Sequence, residues 1–187
     1  DSGDVKELGY LREVLETQAI RLAIAQDRAG LARRMEHLTQ LCAVAIEKND
    51  IGAFSRADHD FHLEPFRRCG NRYLEKSFLT IASRIQAIRS RLTGDHNRIG
   101  RSHATHVAIL QAVQADDAMR AADLLSQHIR SNVEDYTALQ SKTPADTGLR
   151  RVALPEIARF PERALAALGA DADSITAILR ALGHASL

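Results

Sequence analysis

The 187-residue sequence predicts an all-α protein, an antiparallel helical bundle of six to seven helices with two extra short helices at its C-terminal end. Three observations carry this. Apolar residues recur at spacings of three and four, the period of an amphipathic helix. Aromatic residues are only 4% of the chain and β-branched runs are scarce. Gly, Asn and Asp fall between the periodic segments, where helices stop and start.

The first expected helix, about 4 to 27, places Leu8, Leu15, Ala19 and Leu22 on one stripe and is broken at Gly30. The second, about 30 to 48, runs from Leu31 through Leu38, Leu41 and Ala45 and stops at Asn49-Asp50. A third, about 51 to 69, carries Phe54, Phe61 and Phe66; Pro65 should kink it, and Gly70-Asn71 ends it and opens the next. The fourth, about 72 to 93, has the most regular stripe, Phe78, Ile81, Ile85, Ile88 and Leu92, and ends at Gly94. A fifth, about 99 to 114, turns Leu110 and Val113 inward. The sixth opens at Asp116-Asp117, where a carboxylate caps the first amides, and passes Leu125 and Ile129 to about 139.

From Ser141 to Gly148 the composition is that of a linker, and Pro144, Pro155 and Pro161 crowd the last quarter. The expected division is therefore a bundle over 1–140 and an extension over 141–187 with short helices at about 156 to 168 and 173 to 182. The chain opens at Asp1 with neither Met nor a signal-like apolar stretch, so a missing start is expected.

Lys and Arg total 25 against 24 Asp and Glu, a net +1 that excludes nucleic-acid binding by a generally basic surface. Hydrophobic residues at 45% and charged residues at 26% are a soluble balance. No apolar run approaches the roughly 20 residues a membrane span needs. Cys42 and Cys69 form no CxxC pair, which fits a reducing compartment, the cytoplasm. The phosphate-loop, nucleophile-elbow, dinucleotide and HExxH signatures of common enzymes are missing.

What the sequence does offer is polar groups on faces that should be buried. Asp58 and His62 are four apart, hence about 40° from each other on one helix face. His106 shares the stripe of Leu110 and Val113, and His128 lies beside Leu125. One carboxylate and three neutral imidazoles suit Zn²⁺, and also Ni²⁺ or Mn²⁺, because a divalent ion offsets the cost of burying them. The plain alternative is that each histidine is a satisfied core residue. His103, one turn before His106, competes with it; His37, His59 and His96 read as surface residues. Arg12 sits among the core residues of the first helix, either paired with Glu16 four residues on or free to take a ligand carboxylate, for which a guanidinium is suited. Arg84, at the edge of the fourth stripe, is a second candidate for that role.

The segments Leu11-Arg12-Glu13-Val14-Leu15-Glu16, Asp58-His59-Asp60-Phe61-His62 with Gly70-Asn71, Thr105-His106-Val107-Ala108-Ile109-Leu110-Gln111-Ala112, and Asp117 through His128-Ile129 occur in a distinctive order and spacing. Over about residues 4 to 139 the chain resembles the C-terminal effector-binding (FCD) domain of the FadR branch of GntR-type bacterial transcription regulators. The resemblance implies a bundle with a central metal, zinc first and nickel or manganese as alternatives, held by Asp58, His62, His106 and His128. It implies a small organic acid beside the metal, its carboxylate held by Arg12 and Arg84. It further implies operator DNA as partner, through an N-terminal winged helix-turn-helix with no counterpart in this chain, and a homodimer. Retention of all four ligand positions argues against the metal-free, acyl-CoA-binding members. Thr105 stands where Glu is common, Pro65 interrupts the third helix, and residues 141–187 match nothing in the family. The implied protein is a sensor and not an enzyme. The alternatives are a metal-dependent hydrolase and a metal-free helical interaction module.

Overall fold

In the computed structural model, which describes residues 2–92 and 95–142, every helix after the first starts behind an Asp or Asn side chain. Helix α1 spans Ser2–Glu47, α2 Ile51–Arg68, α3 Arg72–Arg91, α4 His96–Gln114 and α5 Ala118–Lys142. Asp50 accepts the Ala53 amide at 2.8 Å, Asn71 those of Tyr73 and Leu74 at 3.0 and 3.3 Å, Asp95 that of Arg98 at 3.1 Å, and Asp117 that of Arg120 at 2.9 Å. Each carboxylate or amide satisfies first-turn donors that have no partner inside the helix.

The first two expected helices are one element, interrupted at Asp27 (φ −152°, ψ 62°) and not at Gly30. Asp27 is the cap of the second half: its Oδ1 accepts the Gly30 amide at 2.9 Å, and its Oδ2 pairs with Arg68 of α2. Gly30 matters for a different reason, since a Cβ there would collide with both the Asp27 carboxylate and the Arg68 guanidinium. Helix α2 continues through Pro65 to Arg68, and Gly70 (φ +66°) takes the left-handed turn that ends it. Helix α4 begins three residues earlier than expected, which brings Arg98 inside it. The Gly94 stop, the linker from 143 on and the helices expected at about 156 to 168 and 173 to 182 lie outside the described residues.

Contacts fix the antiparallel order. Glu13 of α1 meets Ser126 and Arg130 of α5 while Val5 packs with Tyr136 further along, and Phe66 stacks on Phe78 at the α2–α3 turn with Asp58 meeting Arg89 at the far end. Helix α1 packs against all four others. The main core gathers Ile20, Leu31, Met35, Leu38, Phe61, Phe66, Phe78, Ile109 and Ile129. Of the stripe expected on the second half of α1, Leu41 is exposed and Cys42 takes the inward position, because Leu31, Met35, Leu38, Cys42 and Ala45 follow one another at spacings of four and three and Leu41 falls one position off that face. Among the described residues no helix is long and apolar enough to cross a membrane.

Candidate metal and effector site

Periodicity turns four ionisable side chains of α1 and α2 into the bundle. Arg12 and Glu16 are one turn apart on α1, Asp58 and His62 one turn apart on α2, and all four are buried. Helix α4 adds His106, α5 adds His128 and Asn132, and α3 adds Arg89. The three imidazoles offer ligand atoms all within 4.8 Å of one another. Their ring centroids are 5.2 Å apart for His62–His106, 5.2 Å for His62–His128 and 4.8 Å for His106–His128.

The rings differ in how they are held. His62 Nδ1 donates to Glu16 Oε2 at 2.6 Å, and Arg12 Nη2 lies 3.1 and 3.2 Å from its two nitrogens. Glu16 in turn accepts Arg12 Nε at 2.5 Å. Burial by itself would raise the Glu16 pKa; the Arg12 guanidinium and His62 outweigh it and hold the carboxyl at about 2. His128 Nε2 meets Asn132 Nδ2 at 3.1 Å. His106 stacks on Phe61 with centroids 4.1 Å apart, and neither of its nitrogens has a hydrogen-bond partner. Asp58 Oδ1 lies 3.6 Å from His106 Nε2, while Asp58 Oδ2 pairs with Arg89 Nη2. Arg89 Nη1 finds no acceptor.

Burial drives the pKa of His106 and His128 well below the ordinary value and that of His62 below it, the last opposed by Glu16. All three rings are therefore neutral, the form that ligates metal. A fully buried imidazole with two idle nitrogens is costly unless something takes a lone pair. The donor set fits a divalent ion of the zinc type. Charge adds a condition: the two guanidiniums and two carboxylates of this cluster cancel, so a divalent ion would leave an excess that an anion must balance.

Two openings reach the cluster. A cleft of about 410 Å³ between α4 and α5 ends at His128 and is lined by Arg98, Arg101, Ser102, Thr105, Gln127, Ser131, Asn132 and Asp135. A narrow gap of about 20 Å³ between α1, α3 and α5 has Val5, Leu8, Ile85, Ile88 and Val133 as walls and Arg12, Arg89 and Asn132 as its polar lining.

A family model described as the FCD domain matches residues 7–131. The chain belongs to the FCD domain family. A curated protein of Paraburkholderia xenovorans (strain LB400), described as the uncharacterized HTH-type transcriptional regulator BphR, is 27% identical over 137 residues, covering 70% of this chain and 56% of that protein. Among solved structures, E. coli McbR/YncC superposes with a TM-score of 0.66 at 18% identity, over 72% of this chain and 65% of that one. This FCD domain thus spans less than two thirds of either relative, and the second shares its fold.

The structure brings Asp58, His62, His106, His128 and Arg12 of this FCD domain together. It does not bring Arg84, which is exposed on α3 one position before the buried Ile85. The guanidinium that faces inward from α3 is Arg89, one turn and one residue later. His103 is half-buried and outside the group of three; His37 and His96 are exposed, and His59 is half-buried. Sequence reasoning passed over Arg89, Arg98 and Asn132, and treated Glu16 only as the local partner of Arg12. Arg89 falls four residues after Ile85 on the same stripe and was legible in principle; the contact of Glu16 with a histidine 46 positions away was not.

Proposed function

We propose that the bundle is the ligand-sensing domain of a GntR/FadR-type transcription regulator, binding a small organic acid next to a divalent metal. Three buried neutral imidazoles beside Asp58, with both nitrogens of His106 unpartnered, carry this reading. His62, His106, His128 and one oxygen of Asp58 would hold the ion, zinc by preference for three imidazoles and a carboxylate, with nickel or manganese as the other candidates. A bound divalent ion would supply a positive centre to which a carboxylate oxygen coordinates.

The chain's own residues do the rest. Glu16 fixes His62 by accepting from Nδ1, so the lone pair that would reach the ion is that of Nε2, which lies 3.2 Å from Arg12 Nη2. Arg12 and Arg89 present guanidinium edges at the gap between α1 and α3, and the idle Nη1 of Arg89 is the free half of a carboxylate fork. That gap holds about 20 Å³, less than any organic acid requires, so an acid taken up there parts α1 from α3. Helix α3 buries only Phe78, Ile85 and Arg89 from its own length, against nine residues of α2, and is the element free to shift. The acid therefore favours one arrangement of α3 over another, and that differential contact is what an attached DNA-binding domain would sense. The parent protein is read as a cytoplasmic homodimer that meets operator DNA through a further domain, in line with the regulator that the chain partly matches. Hydrolysis is disfavoured, because Asp58 and Glu16, the carboxylates at the rings, are both committed to arginine and neither is free to act as a base.

Elemental mass spectrometry of the 187-residue chain, purified without chelator or nickel resin, tests the metal. Near one equivalent per chain is expected, lost in Asp58→Ala and in His106→Ala; no metal and no uptake on titration would sink the reading. Arg89→Met should retain the metal and weaken binding of small carboxylates measured by calorimetry, whereas Arg84→Met should change neither.

A further inference from the structure

We infer that Asn132 competes with the metal for the donor nitrogen of His128, so that capture of the ion has to displace a hydrogen bond already in place; this rests on the metal reading above. Arg98 on α4 is buried, with Nε donating to the Leu92 carbonyl at 2.8 Å and Nη1 donating to Asn132 Oδ1 at 2.9 Å. A guanidinium has donors and no acceptor, so the atom of Asn132 that faces it must be the oxygen. The other end of the amide, Nδ2, is thereby turned to His128 Nε2 at 3.1 Å. An amide NH₂ is itself a donor only, so His128 Nε2 must accept, and in a neutral imidazole that leaves the proton on Nδ1.

This arrangement is the reverse of the usual support for a metal-bound histidine. Normally the second ring nitrogen donates its N–H to a carboxylate or carbonyl, which frees the first lone pair for the ion. Glu16 serves His62 in that way through Nδ1, while its Nε2 lies 3.2 Å from Arg12 Nη2. At His128 the single lone pair points at Asn132, and Arg98 prevents the amide from rotating to offer its oxygen. The ion can therefore use His128 only through Nε2, with Asn132 moving aside. Asn132 also lines both openings to the cluster, so the amide released from the ring stays in the path of whatever enters.

The test uses the full chain, Zn²⁺ as probe, and Asn132→Ala with Asn132→Leu as variants, each checked for helix content. In metal-free protein, two-bond nitrogen–proton correlation spectra of the histidine rings should place the His128 proton on Nδ1. Zinc affinity from chelator competition should tighten by about two- to tenfold in both variants, the worth of one hydrogen bond no longer broken. Loss of an ordinary supporting residue would instead weaken binding by about 10- to 100-fold. Weaker or unchanged affinity in the variants, or an Nε2-protonated His128 in the metal-free chain, would overturn the competition while leaving the metal reading intact. No zinc uptake by the unmodified chain would overturn the metal reading and the competition together.

Discussion

The two halves of α1 are both deeply buried, yet they bury opposite chemistry. Before Asp27 the inward face alternates apolar residues with Arg12 and Glu16; after it, Leu31, Met35, Leu38, Cys42 and Ala45 face inward. The second half could stand in any helical core. The first half spends part of its buried face on a charged pair that contributes little net stability, since desolvation of buried ions largely cancels their attraction. A fold places such a pair where it needs charge, and here that is beside three histidines.

Breaking the pair should give the largest effect. Arg12→Met leaves Glu16 buried with His62 as its remaining partner and should lower unfolding free energy by about 3–5 kcal/mol in urea titrations. The double variant Arg12→Met/Glu16→Leu should recover most of that loss, because an apolar replacement of both partners removes the desolvation cost. A double variant as unstable as the single one would contradict the division between the halves. On the other side of the break, Leu38→Ala should cost about 2–5 kcal/mol through the cavity it leaves, with metal content unchanged.

The break itself yields a smaller, pH-dependent effect. The Gly30 amide and then Arg68 hold the Asp27 carboxyl below its ordinary value. A depressed folded pKa gives stability that is present above the unfolded value of about 3.9 and is lost as pH falls through the folded one. Asp27→Asn should therefore melt below the parent at neutral pH, and the two melting curves should converge in acid. A difference that persists unchanged at low pH would show that the carboxylate charge is irrelevant to the cap. Smallest of all, burial pushes the Cys42 thiol up to about 12 against the opposing pull of Arg89. Thiol reagents at neutral pH should modify Cys42 only as fast as the chain opens, and Leu38→Ala should raise that rate.

Local sequence pattern was enough for the helical class, most element boundaries and most of the side chains that turn inward, Leu41 being an exception. These are local properties: a period of 3.6 residues, and capping side chains such as Asn71 and Asp117 that act on amides two or three residues away. The burial of Arg12, Asp58, His62, His106 and His128 was legible for the same reason. Even locally there was ambiguity, as at Gly30, where a helix breaker was expected and the cap three residues earlier makes the break. What those inward groups meet came from the packing of the helices. Glu16 reaching His62, Arg89 in place of Arg84 opposite Asp58, and Arg98 turning Asn132 toward His128 all depend on the rotation and offset between helices. Arg84 and Arg89 stand five positions, hence about 140°, apart around α3, and which residue of a neighbouring helix each one meets is specified by no local pattern, because packing across the whole core sets the angle between helices.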